Sequence, residues 1–406
     1  MPEAGAAAAP GARPAAGTGA DPRARPGAAA LRRALLAAGP PAAALLAANL
    51  LWLTAAQASR HNYLRSRLWV RYDSLHYLQI AGHGYTFMSC AGHSLHYGKG
   101  YWCGDAGWFP GYPALIWVLG RLGLPGPDAG VVISSAAGLA MLALLWNGFL
   151  VQRRDASSLL ALGMAAFFFG QVYQRAVFPI SLELFLLLAV IWLAARRRWV
   201  AAGLAGAAAA FTYSTGFLVA LAVATWVLAD RQAGPVRSRA AAAALTGGLS
   251  ALGVAAVLVV QFLDTGVWGA FFRVQAKYHY HGLHPPYQKF LVTVRPLLHH
   301  HAGLGAAPAA QTLLAAVFCL SLVAVAAWHR GRLTAAERLV LSATLWFWLF
   351  PLCLGAGLDL YRSEALLVPA VVLARRLPAA VQVLFLLAMV PLAYAMSVLF
   401  FKRVLI

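Results

Sequence analysis

The sequence predicts an all-α, polytopic membrane protein with about 10–11 transmembrane helices, and three observations carry that prediction. Of 406 residues, 61% are hydrophobic and only 12 are carboxylates. Apolar runs such as AAALLAANLLWLTAA (42–56) and VQVLFLLAMVPLAYAMSVLFF (381–401) approach or exceed the ~20 residues that cross a bilayer. The basic residues that give the chain its net charge of +20 fall in short clusters at the ends of these runs. Such clustering fits positive-inside topology and gives no continuous basic face for nucleic acid.

Each element follows in order. Residues 1–30 are Ala, Pro, Gly and Arg with almost no large apolar side chains, so they cannot bury enough surface to offset ordering entropy. They are expected to be a disordered cytoplasmic tail, and residues 31–406 a single transmembrane domain. Arg32-Arg33 before an apolar run ending in AAQAS also has the form of a signal peptide, but the tail and the length of the run predict a retained first helix over 34–57. Residues 58–127 then form a large external loop, in which WFPGYPALIWVLGRLG is too short and too Pro-rich to span and is expected along the membrane surface.

Helices are expected over 129–150, 156–178 and 180–195, the last ending on Arg196 to Arg198. Residues 199–229 hold two short helices that meet near FTYSTG, and a helix over 240–262 leads to a second external loop, 263–307. The chain returns through 309–328, goes out through 338–356 and comes back through 364–375. A last helix over 379–400 leaves Lys402 and Arg403 outside, against the positive-inside tendency.

This topology puts eleven of the twelve histidines outside, all but His329. His299-His300-His301 is read as polar loop, since no Cys/His ligand spacing accompanies it and no metal is expected. Cys90 and Cys103 share the first external loop, where oxidation can join them or leave two thiols; Cys319 and Cys353 lie in apolar helices.

The chemistry gathers around RLWVRYDSLHYLQIAGHGY (67–85). A carboxylate at a membrane face is costly unless solvated or paired, so Asp73 is a functional candidate. At helical spacing Asp73, His76 and Tyr77 would share a face with Trp69 and Ile80. The bland alternative is a surface helix with Asp73 as its cap or as partner of Arg71. Asp105, in YWCGDAGWFPGYP, is either a turn residue or a second acidic binding group. Glu183 is either a helix-terminal cap or a substrate-positioning group. Arg362, Lys277, Lys289 and His281 could hold a phosphate by charge-assisted bonds. Arg362 could equally pair with Asp359 or Glu364, and the two lysines could be interface anchors.

RYDSLHYLQIAGHGY followed by WFPGYP resembles the signature of the PIG-V-like mannosyltransferases, relatives of GPI mannosyltransferase II. FPISLELFLLL, FTYSTGFL and YRSEALLVP are similar to later segments of that family, so the resemblance spans about residues 34–370. Tyr72 stands where the family has Trp, Leu182 separates Ser181 from Glu183, and Tyr213 replaces an expected Arg. The resemblance implies a GT-C glycosyltransferase that transfers a mannosyl residue from a polyprenyl-phosphate donor to a glycolipid, glycan or protein hydroxyl on the extracytoplasmic face. It implies Asp73 as catalytic base, without cofactor. Ala- and Arg-rich composition suggests a bacterial plasma membrane.

The competing class is a lipid or polysaccharide transporter or flippase. Such a protein is expected to show intramembrane carboxylates or broken helices repeated between halves. No repeat is visible, and the carboxylates crowd helix ends and loops. Neither a Walker-type glycine loop nor an Asp-x-Asp pair is present, which disfavours a nucleotide-sugar donor.

Overall fold

A computed structural model describes residues 26–92, 99–150, 155–230, 232, 234–277, 282–298, 303–354 and 360–405. Most of the expected tail lies outside them. The first helix, α1 (Pro26–Ala58), starts earlier than its apolar run. Among the described residues six helices are long and apolar enough to cross a membrane. These are α1, α4 (Gly126–Leu145, prolonged by a π turn to Leu150), α9 (Val236–Thr265), α12 (Ala306–Trp328), α13 (Ala335–Cys353) and α16 (Ala379–Phe401). Four shorter apolar helices pack among them: α5 (Ala156–Ala166), α6 (Ile180–Ala195), α7 (Trp199–Thr212) and α8 (Leu218–Ala229). The architecture is that of a polytopic, helical membrane protein.

Two helices differ from expectation. The one expected over 156–178 ends at Ala166, and the chain then turns through Gly170 in the left-handed region (φ 59°). A Cβ on Gly170 would lie 2.6 Å from the Tyr361 carbonyl oxygen, so close backbone approach rather than local propensity sets this break. Residues 364–375 form a 3-10 stretch, Glu364–Ala370, and one α turn, because Pro369 has no N–H to continue the ladder.

The bundle has two distinct ends. At one, Arg376 pairs with Glu337 at 2.7 Å and Arg338 with Asp230 at 2.8 Å, tying the first turn of α13 to the loops before α16 and α9. Thr334 and Glu337 also close a capping box on α13. At the other end the described residues of 59–92 and 99–125 include helices α2 (Ser74–His83) and α3 (Gly111–Arg121). A two-stranded hairpin, β1 (Phe87–Ser89) with β2 (Trp102–Gly104), lies between them. The hairpin departs from a wholly α reading. A Cys90–Cys103 disulfide closes it.

This cap is fastened to the last turns of α9 and to the segment after it. Gln261 donates to the Ala106 carbonyl (2.9 Å), Gln275 to that of Gly107 (3.0 Å), and the Tyr85 N–H donates to Asp264 (3.0 Å). Phe109 meets Phe271 edge-on. Residues of both expected external loops therefore pack on one another.

Candidate active site

Helix α2 begins later than its sequence pattern suggests. Residues Ser66–Trp69 form a separate 3-10 turn, and Tyr72 takes a left-handed conformation (φ 48°), rare for a bulky residue. Trp69 consequently leaves the face expected to hold Asp73 and instead packs edge-on against Trp52 and Phe401. Asp73 occupies the N-cap position but is already helical (φ −58°, ψ −17°), and its side chain caps nothing.

The Asp73 carboxylate is committed elsewhere. Its Oδ2 accepts from the Arg362 guanidinium at 2.5 Å across 289 residues of sequence. The pair is partly open to solvent, with 30% of the Asp73 side chain and 16% of that of Arg362 exposed. Both bland alternatives for Asp73, cap and Arg71 partner, are thereby corrected: Arg71 donates to the carbonyls of Arg67 and Val70. Glu364 accepts from Gln311 at 2.7 Å, and Asp359 lies outside the described residues.

Gln311 fixes the arginine's surroundings. It also donates to the Tyr361 carbonyl, and its oxygen accepts from the Gly170 N–H, both at 3.0 Å. The short helix α14 (Leu360–Ser363) that carries Arg362 is thus latched to α12. Sequence reasoning passed over Gln311, a polar residue in an apolar helix and the one signal available.

A second cluster lies beside the first. The His76 Nδ1 meets Asp105 Oδ1 at 2.5 Å, and its ring stacks on Trp108 with centroids 3.4 Å apart. The Thr86 hydroxyl donates to Asp105 Oδ2, and the Asp105 N–H donates to the Thr86 carbonyl. Gly104 makes this approach feasible: at φ 116°, a Cβ there would lie 2.1 Å from the Thr86 oxygen. Asp105 is therefore no exposed turn residue, being 5% exposed.

Lys277, also buried, brings its ammonium 3.7 Å from Cys103 Sγ. Burial pushes its pKa below the ordinary lysine range, opposed by the charge of Asp105. It is a buried cation of the second cluster, not an interface anchor. Tyr77 points inward between Tyr112 and Phe178, away from His76. Burial raises its hydroxyl pKa well above the usual range, so it remains a neutral donor.

The remaining candidates are Glu183, Lys289 and His281. Glu183 is fully buried on α6, with neither carboxylate oxygen bonded, and it caps no helix. Lys289 sits on α11 (Pro286–Val294), which packs against α12 and α13. His281 and His299 to His301 fall outside the described residues.

What the residues bring together is a partly exposed carboxylate held by a guanidinium, beside a cluster in which buried Asp105 and Lys277 lie behind a partly exposed His76, at one end of an apolar bundle. Comparison with protein-family models and with curated proteins finds no match to this chain.

Proposed function

We propose that this protein is a membrane glycosyltransferase of GT-C type, transferring a mannosyl residue from a polyprenyl-phosphate donor to an acceptor hydroxyl with inversion. The observation that carries this reading is the Asp73–Arg362 pair: a carboxylate that caps nothing, held open to solvent at the end of a membrane bundle. Its resemblance to the PIG-V-like signature at RYDSLHYLQIAGHGY supports the substrate class.

In this reading the acceptor oxygen attacks the anomeric carbon as its proton passes to Asp73. The bond from that carbon to the phosphate oxygen breaks, and its electron pair leaves with the polyprenyl phosphate. The departing group is a stable anion and needs cations rather than a general acid. Arg362 positions the carboxylate and supplies positive charge. Asp105 and His76 shape the acceptor side, with Lys277 behind them. The burial of Glu183 and Glu364 favours the alternative, a lipid or polysaccharide transporter, because carboxylates inside a bundle mark transport pathways.

The test is a transfer assay with purified protein, polyprenyl-phosphate mannose and extracted membrane acceptors. Donor-dependent product is expected. Movement of unaltered lipid across proteoliposomes without product would replace this function with transport.

A further inference from the structure

The end of the bundle that carries Asp73 is rich in arginine. Arg60, Arg65, Arg67 and Arg71 directly follow α1, and Lys402-Arg403 follow α16 at the same end, where Phe400 and Phe401 pack on Trp69. The nearby carboxylate, Asp73, is taken by Arg362.

Arg71 is only 6% exposed, yet among the described residues no carboxylate pairs with it. Its partners are two backbone carbonyls, and its Nε is buried without any. Arg175 repeats the pattern: it lies over the rings of Tyr63 and Trp69, donates to Asn49, and leaves its Nε buried and unbonded. A guanidinium taken from water without a counter-charge is costly. Burial and the charge of Arg403 both push the Arg71 pKa down.

Arg403 is held ready. The Val404 N–H bonds to the Leu399 carbonyl and the Arg403 N–H to that of Phe400, which closes α16 in a Schellman turn. Leu405 is buried below, while the Arg403 side chain is exposed.

We infer that Arg71 and Arg403, with Arg175 behind Trp69, form a binding site for the phosphate of a lipid at this end of the bundle. Arginine suits this ligand because its fork of N–H donors matches phosphate oxygens. Basic clusters next to a membrane span also attract anionic lipid headgroups. The site accounts for Lys402 and Arg403 standing where the positive-inside tendency disfavours them. It stands apart from the glycosyl-transfer reading, since it requires binding alone.

The test places the full chain in nanodiscs of neutral phosphatidylcholine and measures binding of phosphatidylglycerol, farnesyl phosphate and inorganic phosphate in separate arms. Wild type should bind at least one lipid probe more tightly than inorganic phosphate. Arg403→Gln should weaken that binding about tenfold, about 1.4 kcal/mol, and Arg71→Gln at least as much. Arg330→Gln, an exposed site at the other end, should leave it unchanged. Because Arg403 is exposed, its variant reports even if Arg71→Gln fails to fold. A preference for phosphatidylglycerol identifies a structural lipid, and one for farnesyl phosphate identifies a prenyl-phosphate ligand. Binding of inorganic phosphate as tight as that of the better-bound lipid, or equal lipid binding in wild type and Arg403→Gln, would overturn the inference.

Discussion

Removing Arg362 by Arg362→Gln should release Asp73 without unfolding the protein. The expected cost follows from where the pair sits. Fully exposed ion pairs contribute about 0.2–1 kcal/mol, and breaking a fully buried one costs about 3–5 kcal/mol. With side chains 30% and 16% exposed, the Asp73–Arg362 pair falls between these limits. Allowing for solvent screening, a coupling of about 1–2 kcal/mol is expected, a shift of a few degrees in melting temperature. Turnover should fall further, by about 100-fold, because a carboxylate displaced by about 1 Å no longer meets the proton it must take from the acceptor. The assay is a double-mutant cycle of Asp73→Asn, Arg362→Gln and the double variant, read by thermal unfolding and by transfer rate on the same preparations. A coupling below about 0.3 kcal/mol, within the usual error of additivity, would refute a held pair.

Other expectations concern the cap. Cys90→Ser should lower stability by about 2–3 kcal/mol, as expected for a short disulfide loop, and reductant should lower the wild-type melting temperature to match. Gly104→Ala should misplace Asp105, because its Cβ would meet the Thr86 oxygen at 2.1 Å; a turnover loss larger than its stability loss checks this. Lys277 has a folded-state pKa below its unfolded one, so the unfolded chain binds more protons between the two values and stability there rises with pH. Wild type should therefore gain on Lys277→Met as pH climbs toward about 10.4, the unfolded lysine value, measured by denaturant titration across that window. With free cysteines removed, His83→Cys and Gln288→Cys should react with a membrane-impermeant reagent from the same side of the membrane, and Arg330→Cys from the other.

The spans were legible because each of α1, α4, α9, α12, α13 and α16 is long and apolar, and length with hydropathy is a local property. The stop after Ala166 was not, because the aromatic run FFF (167–169) continues the apolar pattern while the turn at Gly170 answers to the Tyr361 backbone. Asp73, Asp105 and Arg362 could be singled out from residue type and setting. Their partners could not: helical spacing grouped Asp73 with His76, whereas the structure sends one to Arg362 and the other to Asp105. Such choices depend on contacts across 289 and 29 residues, which no periodicity encodes. Arg71 was legible only as a possible partner of Asp73, and Arg175 not at all, because burial of a guanidinium without a counter-charge is set by tertiary packing and not by local sequence.

The central claim is that Asp73 takes the acceptor's proton, and Asp73→Asn addresses it most directly. The amide keeps the size and a bond to Arg362 but loses the basic lone pair. Transfer rate and melting temperature should be measured on one preparation with saturating polyprenyl-phosphate mannose. A base predicts turnover lower by about 10²–10⁴-fold with melting within a few degrees of wild type. Turnover retained, or falling only in step with the folded fraction, would contradict the account.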